Sequence, residues 1–492
     1  MSARNPILPG VYPDPSVCQV GEYTYLVNST FTWLPGLPIH RSKDLVTWEL
    51  CGHALSSAEH LDLDKGDESQ GIFAPTLRYI DGRFVLVCTT VVADTQRSFL
   101  MSAPDASGPW SPPRFLEGAG GIDPDIFQDC DGTVWWTGTR LAVNPLWEQQ
   151  TEIWTRPVDL DTATFIGEET VIWHGAVEGA VWSEGPHIYR RGNWYYLLSA
   201  EGGTAEEHAV SIARAQHVTG PWEGCKRNPI FSHRNLGRRS QIHNVGHADL
   251  VQRPDGTWWA VMLGVRLRQG RHLLGRETFL APVTWEEDWP VIAPGVGHLT
   301  EAVDTRSGVD PYQRSLTVAA LPHTSLHQHE VMTSITAFRE CALRPVGVQW
   351  CGEERSFRGV RAASWDCAIS VQADDFSEAL TAIGIVQDAH NWARIEKIDE
   401  AVQVRIRRGG NDEVLHLPTP GHDQHLWVAL DDLTLRLGVG PHIGHGFCHS
   451  IDAQWLSTES AGGFIGCLLG IWGEGASKDT ASVYMRGTHP QL

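Results

Sequence analysis

Apolar and polar residues alternate in short runs through the first three hundred positions, and five of these runs start on a glycine turn. They read GEYTYLVNS from Gly21, DGRFVLVCTT through Gly82, DGTVWWTGT through Gly132, GNWYYLLSA from Gly192 and DGTWWAVMLG through Gly256. Period-two alternation rich in Val, Ile, Trp, Tyr and Phe, bounded by Gly and Asp, predicts β-strands. The glycines recur at intervals of 61, 50, 60 and 64 residues, which marks a repeat. Each run follows a short strand-like stretch, beginning at Asp14, Phe73, Asp123, Glu184 and His247, and each precedes a third strand such as IHRSKDLVTWEL or VSIARAQHVTGPWE. Helical signals are weak throughout. Five copies of a unit of three or four strands predict a five-bladed β-propeller, in which each blade covers its neighbour and the ring closes on itself.

The repeat stops near residue 303. DTRSGVDPYQRSLTVAALPHTS is polar, contains Pro and Gly, and suits a linker. Beyond it, short alternating strands return (WDCAISVQAD, LTAIGIVQD, HLWVALDD, FIGCLLGIWG), a pattern that suggests a jelly-roll-type β-sandwich. The expected architecture is all-β: a propeller over 1–302, a linker over 303–322 and a sandwich over 323–492.

Composition narrows the function classes. Net charge is −21, with 38 Lys plus Arg and no basic run, so a nucleic-acid partner is not expected. No segment reaches the roughly 18 apolar residues of a membrane span, and MSARNPILPG lacks the pattern of a secretion signal, so a cytoplasmic protein without a membrane partner is expected. The ten cysteines show no CxxC spacing, which argues for ordinary reduced thiols rather than a zinc site or a disulfide framework. Twenty-one Trp supply aromatic faces for packing or for stacking on sugars or bases.

In a propeller the first strand of each blade lines the central channel. Asp14, Asp123 and Glu184 open three such strands and would meet at one end of it. Singly, each Asp-Pro or Glu-Gly-Pro reads as a turn device. Together, converging carboxylates oppose folding through repulsion and desolvation, so a functional reason is needed. Glycoside cleavage supplies one: a carboxylate activates water, a protonated carboxyl protonates the leaving oxygen, and a third carboxylate raises the acid's pKa. His247 opens the fifth blade and is expected to face the channel.

The motifs NPILPGVYPDPS, FTWLPGLPIHRSKDLVTWEL, APTLRY, GIDPDIF, SEGPHIY, AEGGTAEEHAVSIARA, GHADLV and LGRETFLAPVTWEEDWPVI fall in order over residues 5 to about 300. They resemble glycoside hydrolase family 43, in the branch of β-xylosidases and α-L-arabinofuranosidases that carry a C-terminal β-sandwich. The resemblance implies an inverting reaction with Asp14 as general base, Glu184 as general acid and Asp123 tuning and orienting the acid. It implies Arg276 as a sugar-binding arginine and Phe31 and Trp33 as an aromatic wall. Phe73 stands where the family often has Trp, and it keeps the aromatic face without the indole N–H. Trp147 and the loop Thr204 to His208 are second-tier candidates at the channel mouth.

The resemblance further implies that the loop AGGF places Phe464 at the pocket edge, shortening a cleft into a pocket for a chain end, hence exo action on short oligosaccharides releasing xylose or arabinofuranose. Relatives raise a structural Ca2+ near the histidine on the axis; one histidine without further acidic ligands is thin support for it, and no cofactor is expected. The expected partner is a small oligosaccharide, and a homo-oligomer through sandwich edges is plausible. The competing readings are a non-catalytic carbohydrate- or protein-binding propeller, against which the three acids stand, and a retaining fructan-hydrolysing propeller, whose nucleophile motif is absent from the sequence.

Overall fold

The structure, a computed structural model, describes residues 2–57, 61–93, 95–237, 240–305, 338–342, 348–350, 357–377, 380–398, 401–473 and 481–486. Two compact units emerge, the first of residues up to Thr305 with the short segments starting at Val348 and spanning Gly462–Gly466, the second of the remaining C-terminal residues. The linker expected at 303–322 lies, from 306 onward, outside the described residues.

In the first unit five antiparallel sheets follow one another. Their inner strands are Ser16–Val20, Thr76–Ile80, Ile122–Gln128, Glu184–Arg191 and Ile242–Gln252, each paired to the next strand in sequence. These five inner strands touch in sequence, and Ile242–Gln252 lies against Ser16–Val20, so the series closes. Ser2–Arg4 pairs with Ala302–Asp304, and the Asn5 side chain holds the carbonyls of Leu280 and Thr300, tying the N-terminal segment to the last sheet.

The alternation explains the arrangement. On the second strand of each sheet successive side chains enter different apolar clusters: Leu26 packs with Val261 and Leu280, whereas Tyr25 and Val27 pack with Leu86 and Phe99. Val85 and Val87 pack with Trp136 and Trp154, and Leu197 packs with Ile153 while Tyr196 and Leu198 pack with Met262 and Phe279. A period-two strand with both faces apolar is stable only when covered on both sides. At roughly 25 cal/mol per Å2 of apolar surface, these five clusters are the main stabilising term of the unit.

Among the described residues the second unit holds two antiparallel sheets. One runs Phe338–Ala342, Ser482–Arg486, Asp366–Gln372, His425–Asp431, Thr434–Gly440, Phe447–Asp452; the other includes Asn411–Leu417, Ala401–Arg408, Asn391–Ile398, Ala382–Asp388, Leu468–Trp472 and Phe357–Arg361. Asp366–Gln372 and His425–Asp431 lie against Ala382–Asp388, with Trp427, Ile385 and Trp392 among the buried side chains. Among the described residues no helix is long and apolar enough to cross a membrane, and the described cysteines are free thiols.

Candidate active site

Within or just before four inner strands of the first unit the backbone turns left-handed beside the predicted site residues. Asp14, Asp123, Gly185 and His247 have φ of 51°, 53°, 56° and 48°. β-Bulges follow, between Ile122 and Asp125, Glu184 and His187, and Gly246 and Asp249. A bulge re-aims the side chains around it, and left-handed backbone at a non-glycine residue stores of order 1–3 kcal/mol at functional sites. At position 185 only glycine serves, since a Cβ there would stand 2.9 Å from His247 Nε2. The Pro-Asp-Pro and Asp-Pro-Asp sequences are therefore devices for turning carboxyls inward.

Those carboxyls share a cavity of about 190 Å3, lined by Asp14, Asp123, Glu184, His247, Arg276, Phe31, Phe73, Thr204 and Phe464. Asp14 accepts hydrogen bonds from Arg276 Nη1 (2.9 Å) on one oxygen and Ser29 Oγ (2.7 Å) on the other. Arg276 also donates to Thr204 Oγ1 at 3.2 Å. Asp123 accepts the Gly185 N–H at 3.1 Å. The Glu184 carboxyl has no hydrogen-bond partner among the described residues.

This environment separates the protonation states. Burial pushes the Asp14 carboxyl up, but the Arg276 guanidinium, His247 and the Ser29 hydroxyl together hold it below its ordinary 3.8, so it is ionised. Burial, then the charges of Asp123 and Asp14, push Glu184 well above 4.5, so it keeps its proton. Burial and then the charge of Asp14 raise Asp123 to about 7. Burial lowers His247 to about 4, leaving it neutral at pH 7, so the positive charge beside Asp14 is that of Arg276.

Phe31, at φ 52°, forms one wall, stacked on Phe464 with ring centroids 6.3 Å apart and edge-on to Phe73 at 5.8 Å. The Phe464 segment is anchored by its N–H on Ser69 Oγ (2.9 Å) and its carbonyl near Arg276 Nε (3.4 Å). Two expected residues do not line the cavity. Trp33 is 3 % exposed and sits in a ladder opposite Trp350, because the left-handed turn at Phe31 breaks the alternation that would put both side chains on one face. Trp147 instead donates its indole N–H to the Ala180 carbonyl at 2.9 Å, bracing a neighbouring loop. That loop carries Trp182, which lines the cavity and escaped sequence reasoning; the aromatic two residues before Glu184 in VWSEGPH was the available signal. Ala74, Ile122 and Gly203 complete the lining. Of the second-tier loop, Thr204 reaches the cavity while His208 is buried, its Nδ1 at 3.0 Å from the Asn244 carbonyl oxygen.

The Ca2+ raised by the resemblance finds no matching donor set. Among the described residues no three His, Cys, Asp or Glu side chains are grouped to hold a metal ion. The buried carboxylates nearest the inner strands' crossing, Asp125 and Asp249, are both paired with Arg78, at 2.8 and 2.9 Å.

Comparison with known proteins agrees with this chemistry. The family described as "Glycosyl hydrolases family 43" matches residues 3–290. A xylosidase/arabinosidase of Butyrivibrio fibrisolvens is 35% identical over 97% of this chain and 96% of its own length. A non-reducing end α-L-arabinofuranosidase of Bacteroides ovatus is 43% identical over 59% of this chain, which spans 53% of that protein. Among solved structures, a xylan β-1,4-xylosidase from Bacillus halodurans aligns over 98% of both chains with a TM-score of 0.79 at 26% identity. A Bacteroides ovatus family 43 protein of a xyloglucan locus aligns over 98% of both chains at 0.76 and 29%. With a family match over more than half its length and a full-length relative at 35% identity, the chain belongs to glycoside hydrolase family 43 and is an all-β glycoside hydrolase.

Proposed function

We propose that this enzyme removes terminal β-D-xylose, α-L-arabinofuranose or both from short oligosaccharides with inversion of configuration. The observation that carries this reading is a pair of buried carboxyls in one small cavity with opposite surroundings, Asp14 bonded to Arg276, which holds its pKa down, and Glu184 without such a partner and pushed up by burial and by Asp123. Asp14 takes a proton from water as the water oxygen bonds to the anomeric carbon. Glu184 gives its proton to the glycosidic oxygen as that bond breaks, and both protons re-equilibrate with solvent afterwards. Burial holds the acid protonated, and Asp123 adds its charge when ionised and orients the loop through the Gly185 N–H. Arg276 and Thr204 offer donors to sugar hydroxyls, and Phe31, Phe73 and Trp182 offer apolar faces.

Exo action is supported by size: about 190 Å3 is well below the ~300–1,000 Å3 of sites for larger ligands and suits a single sugar ring. The relatives' names supply the pentose class. The closed series of five sheets supports a five-bladed propeller over 1–302, and the two facing sheets of the second unit support a β-sandwich within 323–492.

The test is release of p-nitrophenol from the β-D-xylopyranoside and the α-L-arabinofuranoside. Wild type is expected to cleave at least one and Asp14→Asn neither, because water activation is needed whatever the leaving group. Glu184→Gln should hurt poor leaving groups far more than p-nitrophenol. Early-time proton NMR should show the inverted anomer. Activity retained by Asp14→Asn would refute the assignment.

A further inference from the structure

The carboxyl layer rests on a second polar layer that neither sugar binding nor proton transfer uses. Two or three residues beyond Asp14, Asp123, Glu184 and His247, the same inner strands carry Ser16, Asp125, His187 and Asp249, all buried. The remaining inner strand, Thr76–Ile80, contributes Arg78, from the motif APTLRY, and its guanidinium reaches all four. Nη1 donates to Ser16 Oγ (3.1 Å) and Asp249 Oδ2 (2.9 Å); Nη2 donates to Asp125 Oδ1 (2.8 Å) and stands 3.1 Å from His187 Nδ1.

Cross-links between the ligands complete the layer. Ser16 Oγ donates to Asp249 Oδ2 at 2.8 Å, the Ile188 N–H donates to Asp125 Oδ2 at 2.9 Å, and Tyr189 donates its hydroxyl to Asp249 Oδ1 at 2.5 Å. None of these residues lines the catalytic cavity. Two carboxylates at 0% side-chain exposure against one guanidinium is a costly arrangement, which packing alone could replace with apolar residues.

What the layer does follows from its position. The bulges intervene between three of the site residues and their Arg78 partners, at Ile122/Asp125, Glu184/His187 and Gly246/Asp249. A bulged strand has lost part of its ladder, so its register relative to neighbouring inner strands, which are not hydrogen-bonded to it as a sheet, needs another constraint. A planar fork with fixed donor directions provides one, and an ammonium on a flexible stem does not. We propose that Arg78 is a positioning residue for catalysis: by bonding to the other four inner strands one layer below, it sets the mutual stagger of Asp14, Asp123, Glu184 and His247. This rests on the roles assigned above to Asp14 and Glu184.

The experiment compares wild type, Arg78→Lys, Arg78→Ala and Ser16→Ala as full chains on the p-nitrophenyl pentoside that wild type cleaves, with circular dichroism and a thermal melt for each. Misplacement of reacting groups by about 1 Å can cost on the order of 100-fold. The expected result is a kcat lower by roughly 10- to 100-fold in folded Arg78→Lys, with KM changed by less than about 3-fold, and a smaller kcat loss in Ser16→Ala, which removes one arm. Millimolar guanidinium ion should restore part of the kcat of Arg78→Ala, whose side-chain space is vacant, and none of Arg78→Lys, whose space is filled.

Folded Arg78→Lys with wild-type kcat overturns the proposal. So does a kcat loss that merely follows the folded fraction, without guanidinium rescue. If Arg78→Ala does not fold, Arg78→Lys and Ser16→Ala decide by the kcat against KM split. Asp14→Asn is run alongside: hydrolysis surviving there refutes the carboxyl assignment itself, a result distinct from any given by the Arg78 variants.

Discussion

Asp123 offers the sharpest quantitative prediction, because its electrostatic strain is large and removable. Burial first, and the charge of Asp14 second, hold its carboxyl at about 7 instead of 3.8. At 1.36 kcal/mol per pH unit, ionised Asp123 destabilises the native state by about 4 kcal/mol at pH 8. Between the two values the folded protein binds more protons than the unfolded chain, so this contribution lowers stability as pH rises from about 4 to 7 and is constant above.

An amide at this position keeps an acceptor for the Gly185 N–H and carries no charge. Asp123→Asn is therefore expected to exceed wild-type stability by about 4 kcal/mol at pH 8 and by less than about 1 kcal/mol at pH 4, while losing activity. The loss has a signature: without the Asp123 charge Glu184 gives up its proton more readily, and the alkaline limb of residual kcat/KM moves to lower pH. Urea unfolding followed by tryptophan fluorescence at pH 4, 6 and 8 measures the first effect. A variant no more stable than wild type at pH 8, or stabilised equally at pH 4 and 8, would refute the reasoning.

Three further outcomes are expected. Arg276→Met removes the cation that opposes burial of Asp14, so the acidic limb of kcat/KM should move to higher pH and kcat should fall; an unmoved limb would count against Arg276 as the source of the depressed Asp14 pKa. Phe464→Ala opens one wall, and steady-state kinetics on the p-nitrophenyl pentoside should show KM raised several-fold, about 1 kcal/mol of lost aromatic contact, with kcat little changed. Gly246→Ala would bring a Cβ within 2.5 Å of the buried His208 ring and should lower stability by about 1–3 kcal/mol in a thermal melt.

Much of this protein was legible without coordinates. A repeat of alternating runs set the strands, since a side chain's face in a strand depends only on the parity of its position. The same repeat identified Asp14, Asp123, Glu184 and His247 as equivalent openings, because residues at one offset in each unit come to one level of a closed series. Parity fails where the backbone turns left-handed: Phe31 and Trp33, which the resemblance put in one aromatic wall, are two residues apart, yet with the turn at φ 52° one lines the cavity and the other sits in a ladder with Trp350. Trp147 and Trp182 belong to loops outside the repeat, so only their contacts separate the brace from the lining residue.

The roles of base, acid and tuning carboxylate were implied by the family motifs, but the causes of their protonation lie outside the local sequence. Three carboxyls of similar intrinsic pKa become one anion and two raised acids because burial strips their water and because Arg276, 262 residues beyond Asp14, hydrogen-bonds to Asp14 and acts on the other two only through its charge. The sequence by itself determined which side chains share a level and a face, through short-range periodicity. Only the tertiary structure decided the surroundings that shift their protonation and their stagger on Arg78, because distance and desolvation depend on which remote segments meet.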